Sequence, residues 1–267
     1  MSDSLFRVLA EALASTDIEE KLALTAALEA SWRAGDLDWQ DETPVSLVCG
    51  LPPRPVLIAP KDVPQRNPKS PEGRARLLHA IVHIEFSAIN LALDHAARFR
   101  GMPEQYYADW IGVAAEEAHH FSILRQRLRE LGHDYGDFPA HAGLWAMAEK
   151  TSNDVLARMA LVPRLLEARG LDATPPIQKR LRECGDEASA SLLDIILHDE
   201  IGHVGLGDTW FRHLCAERHL EPESTYRRLL GEFKAPWPQA PMNEAARLAA
   251  GFTLEELAAL ARKPLAA

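Results

Sequence analysis

The chain has 267 residues, enough for one large domain or two small ones, with the apolar (47%) and charged (25%) content of an ordinary soluble globular protein. A formal net charge of −10 argues against a general nucleic-acid or anionic-membrane binder, which needs a basic surface. Cys49, Cys184 and Cys215 are widely spaced and form no Cys-x-x-Cys pattern, so free thiols in a reducing cytosol are expected ahead of disulfides.

The N-terminal Met-Ser-Asp-Ser-Leu-Phe-Arg lacks the basic and apolar regions of a secretory leader, and no uninterrupted apolar run of about 18 residues is present to span a membrane. A cytoplasmic location is expected. Residues 3–14 and 17–33 carry helical periodicity, the second behind Thr16-Asp17 with Glu19 and Glu20 in its first turn. They read as a helical pair on the main body, with a dimerisation element as the alternative. Eight prolines fall between 44 and 72, which excludes a long helix or a central strand and predicts an extended arm packed on the body.

Ser70-Pro71-Glu72 starts the first long helix. Its stripe is Leu78, Ile81, Glu85, Ile89, Ala92, Ala96 and Phe99, ending near Gly101. A short turn leads into a second helix over about 103–131 with the stripe Trp110, Ala114, Glu117, Phe121, Leu124, Leu128 and Leu131. An aromatic turn segment, Tyr135 to His141, follows. It reads as a capping turn, or alternatively as the lining of a substrate entrance. A third helical region covers 143–169, interrupted near Thr151–Asp154 and capped at Arg169-Gly170. A short helix from Asp172 to about Gly185 precedes a fourth long helix, which continues to about 219 with the stripe Leu193, Ile196, Glu200, Val204, Gly207, Phe211 and Leu214. The tail predicts a helix from Pro222 and two more near 241–250 and 253–262. No strand is expected, and the fold class is all-α. The domain reading is 1–43, a helical pair; 44–72, the arm; 73–220, a four-helix bundle; and 221–267, a helical extension.

Two segments share a pattern: Glu116-Glu117-Ala118-His119-His120-Phe121 and Asp199-Glu200-Ile201-Gly202-His203-Val204. Residues three apart lie on one helix face, so each copy offers a carboxylate beside an imidazole. The first copy permits two registers, 116/119 or 117/120. The second register keeps the apolar stripes of the two helices in phase, and Glu117 then matches Glu200 and His120 matches His203. Glu85 precedes Glu117 by 32 residues and Glu167 precedes Glu200 by 33. Two hairpins, each giving Glu and then Glu-x-x-His, make the ligand set of a carboxylate-bridged dimetal site in a four-helix bundle: Glu85, Glu117, His120, Glu167, Glu200 and His203. Four carboxylates and two imidazoles suit two iron ions, with manganese or a mixed pair as alternatives. Glu167 sits close to Gly170 and after Pro163, and Glu149 is its alternative. Glu116 and Asp199 are candidates to orient the imidazoles. Of His79 and His83, one turn apart before Glu85, one is expected at the surface and the other packed, with a role for either at the metal site as the alternative.

With these residues in place, the chain resembles the ferritin-like superfamily, and more closely an uncharacterised bacterial family of ferritin-like proteins with a domain of unknown function. His83-Ile84-Glu85, Glu117–Phe121, Tyr135–Phe138, Glu167–Asp172 and Asp199–Val204 carry the likeness, over roughly 44–220. The resemblance implies a bundle with a di-iron or related centre. Superfamily members include ferroxidases, peroxidases, radical-generating reductase subunits, desaturases and tRNA hydroxylases, and the fold does not choose among them. The leading expectation is an oxidoreductase acting with dioxygen or peroxide on a small-molecule substrate, with an external electron donor. The alternatives are a ferroxidase or other iron-handling protein, and a metal-stabilised interaction protein. A tRNA-modifying hydroxylase is a sub-option that the acidic charge does not support, although Arg125, Arg127 and Arg129 offer a local basic strip. No membrane partner is expected, and the arm makes a homodimer an expectation.

Overall fold

Capping side chains set where the first helices begin. Ser4 Oγ accepts from the Arg7 amide to start α1 (Leu5–Ala14), and the Asp17 carboxylate accepts from the Glu20 amide at 2.9 Å to start α2 (Ile18–Ala34). In this computed structural model, which describes residues 3–64 and 66–262, helix dominates. Met1 and Ser2 of the N-terminal reading, Gln65 of the proline-rich stretch and residues 263–267 lie outside the described part. The chain divides into two units, Met1–Trp145 and Ala146–Ala267.

In the first unit, α3 (Pro71–Arg98) and α4 (Glu104–Glu130) form the central pair. Ser70 caps α3 and Pro71 occupies its first turn, where a missing amide hydrogen costs nothing. A 28-residue helix is roughly 42 Å long, and the connection to α4 is too short to return to the start of α3, so the two run antiparallel. The predicted stripes face inward: Leu78, Glu85, Ile89, Ala92 and Ala96 on α3 and Trp110, Ala114, Glu117, Phe121, Leu124 and Leu128 on α4 are all buried. α1 packs on α3 and α2 on α4. Buried Lys21 fastens them, its Nζ donating to the carbonyls of Ala12 and Leu13 and to Asn90 Oδ1 at 2.8–3.0 Å.

One sequence expectation needs correction here. A two-residue parallel pair, β1 (Asp3–Ser4) with β2 (Leu37–Asp38), joins the ends of the N-terminal helices, although no strand was expected. α3 is also long and apolar enough to cross a membrane by length and composition, yet 67% of its most apolar window is buried inside the protein and its buried face carries Glu85, Asp94 and two histidines. Those charges are what a core helix tolerates and a lipid-facing one does not. Residues 44–59 run extended, tied to α1 by the Gly50 amide on Leu13 O and to the later turn segment by a bridge between Leu57 and Ala140.

The second unit holds α6 (Val155–Leu161), a π-helical turn (Pro163–Glu167), α7 (Ala168–Glu183) and α8 (Glu187–Glu217). It also holds α9 (Pro222–Glu232), α10 (Glu244–Ala249) and α11 (Leu254–Ala261), after α5 (Gly143–Lys150). The break near 151–154 falls where expected, and so does the break at Gly185-Asp186. The cap predicted at Arg169-Gly170 does not form. Gly170 does not adopt the positive φ of a C-terminal cap, unlike Gly101, Gly132 and Gly185, and α7 continues through it and through Pro175 and Pro176 to Glu183.

Candidate metal centre

Glu85 comes from the middle of α3 and Glu117 and His120 from α4, each in a slot of an otherwise apolar face. Their exposures are 2%, 1% and 0%. Glu116 and His119, one residue out of phase, are exposed, so the 117/120 pair is the one turned inward. His120 Nδ1 lies 3.5 Å from Glu85 Oε2 and 3.5 Å from Glu117 Oε2, and the ligand atoms of all three residues fall within 4.8 Å of one another. Those separations exceed the 2.7–2.9 Å typical of a tight charge-assisted bond.

Two buried carboxylates need a positive charge beside them. Burial alone would push the His120 imidazole down, but the adjoining Glu117 and Glu85 carboxylates outweigh it and hold its pKa up at about 11. A proton on His120 thus supplies the charge that a cation at the same atoms would supply instead. The donor set, two carboxylate oxygens and an imidazole nitrogen on buried side chains, fits a divalent ion with mixed oxygen and nitrogen preference. These residues form a buried carboxylate–imidazole cluster able to hold a metal.

The second unit carries the other three predicted residues. His203 is 2% exposed, and its Nδ1 lies 3.9 Å from Glu200 Oε1, on a side chain 12% exposed. Glu167 is half-buried, whereas its alternative Glu149 is exposed. Glu167 closes the π turn, its amide reaching the Val162 carbonyl at 3.2 Å while the Leu166 amide shares that acceptor at 2.8 Å. Such turns re-aim the side chains around them and recur at functional sites. Pro163, which lacks an amide hydrogen, was the one sequence signal of the irregularity. Asp199 is half-buried.

The Tyr135–His141 segment is an ordered turn docked on α3. The Asp134 carboxylate anchors it by accepting from Arg125 and Arg129 at 2.7–3.1 Å. Both nearby histidines are engaged, so the expected split between one surface and one packed ring does not hold. His79, 1% exposed, accepts the Gly136 amide on Nε2 at 3.0 Å. His83 donates from Nε2 to the His141 carbonyl at 3.2 Å, which leaves Nδ1 to accept the Tyr135 hydroxyl at 2.9 Å. Burial lowers the pKa of both rings to about 4, so they are neutral at pH 7. The Tyr135 ring packs 5.3 Å from Phe86 and 5.3 Å from Phe121, the residues that follow Glu85 and His120. Sequence reasoning missed this aromatic cluster because its contacts join distant segments.

A model of the family described as "Protein of unknown function (DUF455)" matches residues 14–258. A protein of Haemophilus influenzae (strain Rd), carrying the name "Uncharacterized protein", is 47% identical over 227 residues, which span 82% of this chain and 79% of that protein. No solved structure matches the chain.

Proposed function

Because the chain belongs to the DUF455 family, whose description assigns no activity, we propose its function from its own side chains: a ferritin-like four-helix bundle whose dimetal carboxylate centre serves an oxidoreductase. Glu85, Glu117 and His120 would hold one side of the metal pair and Glu167, Glu200 and His203 the other. The observation that carries this reading is the buried first triplet, a Glu and a Glu-x-x-His on neighbouring antiparallel helices. The same pattern recurs at matching spacing in α8 and the π turn.

Charge balance supports two ions over one. Four carboxylates match the four positive charges of two divalent cations, so the buried set is neutral when both histidines are neutral. Oxygen-rich sites with one imidazole per ion suit iron first and manganese next. When bound, such a pair supplies redox chemistry toward dioxygen or peroxide, with electrons from an external donor. The chain's own part is to fix the ligands on rigid helices and to exclude water with Phe86, Phe121 and Tyr135. The reading also places the protein in the cytoplasm, where Fe(II) and reductant are at hand.

The test is metal content per chain, then anaerobic Fe(II) loading followed by air. Two irons per chain, with turnover that requires added substrate and reductant, is the expected result. Fe(II) oxidation without any further requirement makes the protein a ferroxidase. An oxygen-inert centre, or a single zinc, overturns the proposal.

A further inference from the structure

The C-terminal helices contact the chain on both sides of Glu167. Three residues before it, Arg164 is fully buried within the π turn. Its Nε donates to Asp208 Oδ1 of α8 at 2.6 Å and its Nη2 to Glu256 Oε1 of α11 at 2.8 Å. Arg212 closes the ring, donating to Asp208 Oδ2 at 2.7 Å and to Glu256 Oε2 at 2.8 Å. One residue after Glu167, the Ala168 carbonyl accepts from Arg247 of α10 at 3.3 Å, and Arg247 also forks onto the Asp172 carboxylate at 2.6–2.9 Å. The turn is pressed close to α8 as well. A Cβ on Gly207 would meet Pro163 Cβ at 2.6 Å and Arg164 N at 3.0 Å, so only glycine permits that approach. Gly207 stands one helical turn beyond His203.

This arrangement is costly for a purely structural tether. Arg164, Asp208 and Glu256 are at most 7% exposed, and buried ion pairs return little net stability over apolar packing. What they do give is fixed geometry, because a planar guanidinium accepts carboxylates only along set directions.

We propose that α10 and α11 form a clasp, through Glu256 and Arg247, that holds the π turn against Gly207 and Asp208 and so positions Glu167 as a metal ligand beside Glu200 and His203. The inference rests on the dimetal reading. Glu256 and Arg247 are positioning residues. The C-terminal helices are then part of the metal site's support, and ligand geometry depends on a contact 89 residues away in sequence, from Glu167 to Glu256.

The experiment uses the full metal-free chain with Co(II) as the probe, read by visible absorption during titration. Amide hydrogen exchange across 162–168 is read separately without metal. Glu256→Gln is expected to speed exchange in that segment, weaken one Co(II) site by about 10- to 100-fold, the usual cost of losing a ligand-supporting group, and alter its absorption bands. Glu256→Asp, which keeps the charge, is expected to restore most of the affinity. Thr253→Ala removes the hydroxyl cap of α11 but leaves the ion pairs, and is expected to lower stability without changing the Co(II) spectrum. If Gly207→Ala folds, it should repeat the Glu256→Gln result. Faster exchange with unchanged Co(II) affinity and spectrum overturns the clasp alone. A wild-type chain that takes up no Co(II) overturns the dimetal reading and the clasp with it.

Discussion

Glu116 and Glu117 are sequence neighbours in opposite surroundings: Glu117 is 1% exposed, while Glu116 faces outward. Glu117→Gln removes a charged donor from the cluster and is expected to weaken metal binding by about 100-fold or more, beyond the cost of losing a merely supporting group. Glu116→Gln is expected to stay near wild type, and equal effects in a metal titration would refute the inward register. That register was legible because Glu117 and His120 share a helix face with Trp110, Phe121 and Leu128, so the apolar period alone selects it. His79 was not legible, since its partner is the Gly136 amide, a backbone group 57 residues away. It carries its own prediction. Burial, followed by the charge of His83, lowers its pKa from 6.5 to about 4, so between those values the unfolded chain binds the proton and the folded chain does not. The stabilisation held at neutral pH is therefore lost as pH falls from 6.5 toward 4, by up to about 3 kcal/mol for this ring. His79→Gln keeps an acceptor for Gly136 and does not titrate, so denaturant melts across that range should show a shallower fall. An unchanged slope would remove His79 from the account of acid sensitivity.

At the scale of elements, the starts of α2 and α3 were visible because Asp17 and Ser70 each accept an amide of the first turn. The course of α7 was hidden. Pro175 deprives the Leu171 carbonyl of its usual partner, which normally ends or kinks a helix. Here Asn243, far along the chain, donates from Nδ2 to Leu171 O at 3.1 Å, and its backbone amide donates to Asp172 Oδ1 at 2.8 Å. Local sequence carries no record of such a donor, so Gly170 read as an end and Asp172 to Pro176 as the start of a new helix. Asn243→Asp preserves the oxygen that caps α10 but deletes the donor and sets a second carboxylate near Asp172. It should cost about 1–3 kcal/mol in thermal or denaturant unfolding, the price of an unmet buried carbonyl. A change below about 0.5 kcal/mol, within the scatter of ordinary surface substitutions, would mean that α7 does not depend on that bond.

Over the whole molecule, the repeat in the sequence makes the strongest demand. Each unit carries one Glu and one Glu-x-x-His, and a carboxylate-bridged pair of ions differs from two separate sites in how it responds to losing either triplet. In separate sites, Glu85→Gln would empty one and leave the other at full affinity, and Glu200→Gln would do the reverse. In a bridged pair, each ion neutralises carboxylates that its neighbour also uses, so either substitution should lower the affinity for both. Metal saturation also stabilises the folded chain by mass action, by about 2.7 kcal/mol per ion at 100 times its dissociation constant. Mn(II) should therefore raise the melting temperature of the wild-type chain, and each single variant should lose most of that rise rather than half of it. Two variants that each retain one tight ion and half the thermal gain would divide the proposed centre into two mononuclear sites. The six ligands would still be correctly chosen, but the redox reading, which needs two adjacent ions, would not survive.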